Sequence, residues 1–150
     1  MLSWPLAELL PHAGDMILLD SIEQCDDEHI VTQLRVRNGG LFNQADGSYP
    51  AWLGIELMAQ SIAAFAGVRA KRKGLAVELG FLLGTRKYQS NVDRFPLDTQ
   101  LHIEVSPSLE DDNGMGVFEC CLRGADIYVE ARLNVYCPPS VVSYFQEQYP

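Results

Sequence analysis

The sequence has little positive charge and no cysteines at paired metal-binding spacing, and each scarcity excludes a class of function. Its 150 residues carry 11 lysines and arginines against 20 aspartates and glutamates, a formal net charge of −9. This excess of acidic residues argues against a general nucleic-acid binder, which needs a basic surface. The adjacent Cys120 and Cys121 would point to opposite faces of a strand and cannot share a metal site. We therefore expect no metal site, and reduced thiols in a cytoplasmic protein.

The sequence also lacks the long apolar segments that direct a chain into or across a membrane. Residues 1–10 have no basic leader and include Glu8, so we expect no secretory signal. The central apolar run is interrupted by Glu56 and Gln60, and we expect no membrane span. With 47% apolar and 21% charged residues, the composition is that of a globular protein. We predict a single domain over residues 1–150, large enough to bury a full core.

What is present is one long apolar helix among many strands. A short helix is predicted over 3–10, and a long one runs from Pro50, with Ser48 as a possible cap, to Gly74. Strand-like composition or alternation occurs in six stretches, namely 16–22, 29–36, 79–88, 100–106, 115–123 and 125–136. The order indicates an α+β protein. Since the long helix is apolar on every face it must be buried, and a curved antiparallel sheet wrapped around it is the simplest solution, the hot-dog architecture.

Glu56 is a charged residue inside this apolar helix. A carboxylate there costs several kcal/mol (roughly 2–7 for an unpaired polar group) unless it is paired or protonated. It could be a structural carboxylate bonded to the backbone or to Gln60, one turn on. It could equally be a catalytic acid or base tuned by desolvation. Position alone leaves both interpretations open.

Three stretches of the chain carry a resemblance to a known family. The first is Leu10-Pro-His followed by an apolar strand and Asp20, and the second spaces Pro50, Glu56 and Gln60 by six and four residues. The third comprises the strand–turn–strand segments 80–88, 95–98 and 101–105. Together they resemble the 3-hydroxyacyl-[acyl-carrier-protein] dehydratases of the hot-dog superfamily, and most closely the dehydratase-like proteins of aryl-polyene pigment clusters. The resemblance implies that water is removed from a 3-hydroxyacyl thioester in a fatty-acid-like, polyketide or aryl-polyene pathway.

By this resemblance Glu56 matches the family's helix glutamate and is predicted to be catalytic. The family pairs it with a histidine fourteen residues upstream, in a Gly-His-Phe-Pro-Gly loop, but residues 41–45 contain no histidine. We predict that His12 takes this place, because imidazole titrates near neutral pH and suits a general base. His29 and His102 are poorer candidates, since one lies beside an acidic turn and the other inside a strand pattern.

Other residues near Glu56 are predicted to bind or orient the substrate. Backbone N–H groups at the start of the helix, from Ala51 onward, could stabilise the thioester oxygen. Gln60 would orient the carboxyl group, although ordinary polar pairing in the core explains it equally well. Trp52 and Leu53 are candidates for a substrate tunnel, with plain core packing as the alternative. Tyr49 is a candidate for a hydrogen bond to the substrate, with packing on the surface of the loop as the alternative.

The resemblance also implies partners and leaves the activity open. The substrate would arrive on the phosphopantetheine of an acidic acyl carrier protein, and no other cofactor is expected. Four basic residues at the end of the long helix form a candidate docking strip, namely Arg69, Lys71, Arg72 and Lys73, with a solvated helix end as the alternative. Hot-dog proteins form homodimers or heterodimers, so the chain could be a non-catalytic or site-completing subunit. Thioesterase activity is a further alternative, because fold does not decide function.

Overall fold

The described residues form a six-stranded antiparallel sheet, a second sheet of two short strands, and one long helix. The computed structural model describes residues 4–10, 14–77 and 80–137. Two α-helices are present in these ranges, α1 (Leu6–Leu9) and α2 (Gly54–Arg72), with 3-10 turns at Gly14–Met16 and Ala51–Leu53. The strands are β1 (Ser21–Cys25), β2 (Ile30–Arg35), β3 (Tyr49–Pro50), β4 (Phe81–Ser90), β5 (Arg94–Phe95), β6 (Gln100–Glu110), β7 (Met115–Gly124) and β8 (Ile127–Tyr136).

Six of the strands form a single sheet in the order β1-β2-β6-β7-β8-β4, and every neighbouring pair is antiparallel. Along β8 the side chains alternate between buried and less buried positions, with Val129, Ala131 and Leu133 on the buried face. One face of the sheet therefore covers α2 and the other faces solvent. This arrangement confirms the predicted α+β hot-dog fold.

α2 is the core of the molecule. Leu57, Met58 and Phe65 are almost completely buried, as a helix with apolar residues on most faces requires. By length and hydropathy Ala51–Arg72 could cross a membrane, but 61% of its most apolar stretch is buried inside this protein. The helix ends where predicted, because Gly74 adopts φ +71° and the Leu75 N–H bonds back to the Ala70 carbonyl.

Three local predictions were wrong, each for a physical reason. Ser48 does not cap the helix, since its hydroxyl donates to Asp46 and Pro50 occupies the N-cap position. β1 begins at Ser21 instead of residue 16, because Gly14–Met16 forms a 3-10 turn. β6 continues past 106 to Glu110, with Pro107 tolerated at a bulge against β7.

The two edges of the sheet differ in what they expose. β1 is short, whereas β4 is ten residues long and pairs only with β8 among the described strands. The first three residues of β4 have large, exposed apolar side chains. Phe81 is 48% exposed, Leu82 43% and Leu83 54%. A long edge strand with exposed apolar residues is a template for pairing with another chain.

Candidate active site

Glu56 lies in the first turn of α2, on a half-buried stripe of the helix. Its carboxyl oxygen Oε1 accepts a hydrogen bond from Nε2 of Gln60 at 3.1 Å. The carboxyl group is therefore held by the helix itself and remains partly accessible, as a group that reacts with a substrate must be.

Gln60 connects Glu56 to the N-terminal segment. It is completely buried, its Nε2 also donates to the Met16 carbonyl at 2.6 Å, and its Oε1 accepts from the Leu18 N–H at 2.9 Å. A buried amide with all these bonds has a fixed orientation. Gln60 thus bonds both to the Glu56 carboxyl group and to the backbone of the N-terminal segment.

His12, the predicted base, lies outside the described residues. The chain on both sides of it is held against α2. On the N-terminal side of His12, the Leu9 carbonyl packs closely on Gly67. A Cβ added to Gly67 would lie only 2.3 Å from the Leu9 oxygen. After His12, Met16 and Leu18 bond to Gln60. The positions at 56, 60 and 67 share one helix face, so Leu9, Met16 and Leu18 all contact the face that carries Glu56.

The other two histidines are bonded elsewhere. His102 alternates with the buried Leu101 and Ile103 and therefore faces away from α2, where its ring contacts the Glu23 carboxylate. His29 bonds to Asp26 in the turn between β1 and β2. Neither is placed to act with Glu56.

The loop that carries the family histidine is closed by its own hydrogen bonds. Position 42, fourteen residues before Glu56, is a phenylalanine packed partly against the core. The Asn43 side chain donates to the carbonyls of Arg37 and Gly47 at 2.8 and 2.7 Å, and accepts from the Gly40 N–H at 2.8 Å. The Asn43 amide group therefore stabilises the loop and is not available to bind a substrate.

The start of α2 is built against β4 and β5. Tyr49 is buried and pairs with Phe95, so the expectation of a loop tyrosine on the surface was wrong. Burial raises the pKa of Tyr49. The Ala51 N–H donates to the Asp93 carbonyl at 3.1 Å. The two tunnel candidates lie in different environments, since Leu53 is buried in the core and Trp52 is 62% exposed.

Sequence reasoning missed Tyr88. This β4 residue donates a hydrogen bond from its hydroxyl to the Ala51 carbonyl, and burial raises its pKa to about 12. A Cβ added to Gly54 would lie only 2.3 Å from the Tyr88 hydroxyl oxygen. Spacing along the chain does not reveal such a contact, although a glycine opening an apolar helix signals a close approach.

The basic strip at the end of α2 is partly used within the chain. Arg69 donates to both carboxyl oxygens of Glu110 at 2.9 and 2.8 Å and lies 4.1 Å from the centre of the Phe65 ring. Arg72 lies 3.8 Å from an Asp27 oxygen. The two arginines therefore attach the helix end to the sheet, and Lys71 and Lys73 complete the strip.

Comparison with known proteins places this arrangement in a family. The family model described as ApeP dehydratase matches residues 4–146. A search of curated protein sequences gave no match. Among solved structures, the dehydratase heterocomplex ApeI:P from Xenorhabdus doucetiae contains a chain 32% identical to this one, with a TM-score of 0.84 over 98% of this chain and 99% of the other.

More distant structures share the fold alone. A hypothetical thioesterase with coenzyme A from Streptococcus pneumoniae is 16% identical, with a TM-score of 0.57 over 80% of this chain and 88% of the other. The PaaI protein of E. coli is 12% identical, with a TM-score of 0.56 over 77% of this chain and 81% of the other. These values support the hot-dog architecture and carry no information on the reaction.

Proposed function

Since this chain belongs to the ApeP-like dehydratase family, we propose that it dehydrates a 3-hydroxyacyl thioester carried on the phosphopantetheine of an acyl carrier protein. The observation that carries the proposal is the Glu56–Gln60 pair, a partly accessible carboxyl group held at 3.1 Å by a buried amide at the amino end of the core helix. A purely structural carboxylate would not need to stay accessible. A group that donates a proton to a substrate does.

The elimination needs a base and an acid on the same two-carbon unit. The base removes the proton at C2, the C2–C3 double bond forms, and the acid protonates the C3 hydroxyl, which leaves as water. We assign the acid role to Glu56 and the base role to His12. The described residues on either side of His12 contact the Glu56 face of α2, with Leu9 at Gly67 and Met16 at Gln60.

The thioester oxygen gains negative charge as the C2 proton leaves. The first N–H groups of a helix have no partner within the helix and point along its axis. Those of Trp52 and Leu53 belong to the 3-10 turn that opens α2, one turn before Glu56. They are the donors we propose for this oxygen, since donors aimed at developing charge contribute about 3–4 kcal/mol each in well-characterised enzymes.

A second candidate is a subunit that completes the site of another hot-dog chain. The exposed apolar edge of β4 favours it, and the 32% identical chain described above comes from a heterocomplex. In this version Glu56 acts with a histidine on the partner, and His12 has no chemical role. The working unit is then the dimer.

The basic strip of Lys71 and Lys73 with Arg69 and Arg72 is our proposed contact for the acidic carrier. Because the arginines also bond within the chain, the lysines provide the cleaner test. Lys71→Glu/Lys73→Glu should raise KM for carrier-bound substrate about tenfold, with KM for the corresponding pantetheine thioester unchanged. Equal KM changes for both substrates would contradict carrier docking at this strip.

The central experiment is a dehydration assay on a 3-hydroxyacyl carrier-protein thioester. It uses the purified chain alone, and the chain co-purified with a hot-dog dehydratase that has the Gly-His-Phe-Pro-Gly loop. Glu56→Gln keeps the shape of the side chain and its position next to Gln60. It should lower kcat at least 100-fold and leave the melting temperature unchanged. Glu104→Gln, on the solvent face of β6, is the matched control and should keep kcat.

The remaining outcomes separate the candidates. Activity of the chain alone that is lost in His12→Ala supports His12 as the base. Activity only with the second chain, unchanged in His12→Ala, supports the site-completing subunit. Release of free acid instead of enoyl thioester would identify a thioesterase. Full activity of Glu56→Gln in every combination would refute the proposed role of the carboxyl group.

A further inference from the structure

Tyr88 forms a contact that joins the exposed edge of the sheet to the start of the core helix. It lies on β4 opposite Ala131 of β8, and its hydroxyl donates to the Ala51 carbonyl. The same carbonyl accepts the N–H of Gly54, the first residue of α2. One oxygen of the opening turn is therefore held from two directions, by the helix and by β4.

The surroundings of the hydroxyl keep this bond in one geometry. A Cβ on Gly54 would lie 2.3 Å from the Tyr88 oxygen, 3.4 Å from ring atom Cζ and 3.5 Å from Phe95. The tyrosine thus fills a slot that exists only because residue 54 has no side chain. A phenol that stays protonated up to high pH remains a donor throughout the physiological range.

We propose that Tyr88 is a positioning residue for the dehydration, acting through the backbone of the Ala51–Leu53 turn. The Ala51 carbonyl and the Trp52 N–H share one peptide plane, so holding the carbonyl fixes the direction of that N–H and restricts the next plane, which carries the Leu53 N–H. Donors that are already aimed before charge develops need no reorganisation during the reaction, and this is the source of their catalytic effect. The inference rests on the proposed function, because it assigns the thioester oxygen to these N–H groups.

The placement of Tyr88 also gives the edge strand an influence on the site. β4 carries the exposed residues Phe81, Leu82 and Leu83, and the same strand ends at Ser90, two residues after Tyr88. A partner that adds to this edge would reduce the motion of β4 and, through Tyr88, of the opening turn.

The test is Tyr88→Phe, which removes the hydroxyl and keeps the ring. Tyr128→Phe is the matched control, because Tyr128 lies on the solvent side of β8 and its hydroxyl is 3.4 Å from Glu130. We expect Tyr88→Phe to lower kcat about tenfold to thirtyfold and to change KM less than threefold, a split that follows when only transition-state binding is lost. Tyr128→Phe should keep both constants.

A second readout does not depend on activity. Amide hydrogen exchange at residues 52–54 should accelerate at least tenfold in Tyr88→Phe and not in Tyr128→Phe, while exchange in the middle of α2 stays unchanged. Unchanged exchange at 52–54 would overturn the positioning role. Accelerated exchange together with a wild-type kcat would show that Tyr88 holds the turn without contributing to catalysis, and this would overturn the proposal.

Failure of the proposed function gives a different result. If the wild-type chain, alone and with a second hot-dog chain, produces no enoyl thioester, the dehydratase assignment falls whatever Tyr88 does. The exchange measurement then decides separately whether Tyr88 holds the turn. A general loss of stability would appear as faster exchange along all of α2, which would also overturn the local role.

Discussion

At the scale of single residues, the site depends on polar groups whose bonds are nearly all made to the backbone. Gln60 holds Met16 and Leu18 as well as Glu56, and Asn43 holds the loop that precedes the core helix. A buried amide left unsatisfied costs about 1–3 kcal/mol. These residues therefore set the geometry of the site before any substrate arrives.

Asp46 is the residue whose contribution should depend on pH. Its carboxylate accepts hydrogen bonds from the hydroxyl and N–H of Ser48 and from Arg94, and these lower its pKa to about 2 from 3.8. A lowered pKa in the folded state means that the stabilisation is complete above the unfolded value and is lost as pH falls through the folded one.

We therefore predict that Asp46→Asn is less stable than the wild type at neutral pH and that the difference shrinks as pH falls from about 4 to about 2. Urea unfolding at a series of pH values measures it. Asp112→Asn, in the exposed turn between β6 and β7, should show no such convergence. A constant difference for Asp46→Asn across this range would contradict the prediction.

At the scale of elements, the start of α2 depends on a contact that the helix cannot make alone. No side chain caps it, and the opening turn is held by Asp93, through the Ala51 N–H, and by Tyr88, through the Ala51 carbonyl. The helix is stabilised at its other end by Gly74 and by the ion pair between Arg69 and Glu110. Both ends are thus fixed to the sheet.

The contact between Gly54 and Tyr88 should appear as coupling in a double-mutant cycle. Gly54→Ala places a Cβ 2.3 Å from the Tyr88 oxygen, and such overpacking costs about 1–3 kcal/mol of unfolding free energy. In Tyr88→Phe the nearest ring atom is 3.4 Å from that Cβ, an ordinary contact. Gly54→Ala should then cost almost nothing.

Chemical denaturation of the four proteins measures this coupling, which we expect to be about 1–3 kcal/mol. Gly84→Ala is the control, because no atom lies within 4 Å of a Cβ built there, and its effect should be the same in both backgrounds. Equal effects of Gly54→Ala with and without the Tyr88 hydroxyl would show that the two residues do not compete for space.

At the scale of the whole molecule, the sheet has a long edge that invites a second chain. β4 exposes the main-chain groups of its outer side and the side chains of Phe81, Leu82 and Leu83. In a dimer these residues would be buried, and the site next to Tyr88 would lie close to the partner.

We predict that Leu83→Glu weakens assembly about 100-fold, because it would bury a charge without a partner. Sedimentation of the chain alone and mixed with a second hot-dog chain measures the effect. Leu109→Glu is the control, since Leu109 is 64% exposed but β7 and β8 separate its strand from β4. An unchanged dimer in Leu83→Glu would place the interface elsewhere.

The sequence by itself determined the layers of the fold and the placement of Glu56 beside Gln60 on one helix face. Apolar residues on every face of 51–68 require a buried helix, and the alternation in the later strands requires a sheet with one covered face, so the hot-dog architecture follows from local pattern. The spacing of Pro50, Glu56 and Gln60 placed the carboxyl group and its amide on one helix face, where the structure finds them bonded.

Only the tertiary structure decided which distant residues meet. Gln60 binds residues 44 and 42 positions away, and Tyr88 binds a carbonyl 37 positions away. Ser48 was a reasonable cap until Asp46 competed for its hydroxyl, and the spacing along the chain gave no sign that Arg69 pairs with Glu110. Periodicity describes what each segment buries, whereas packing alone determines which polar groups come within hydrogen-bond distance.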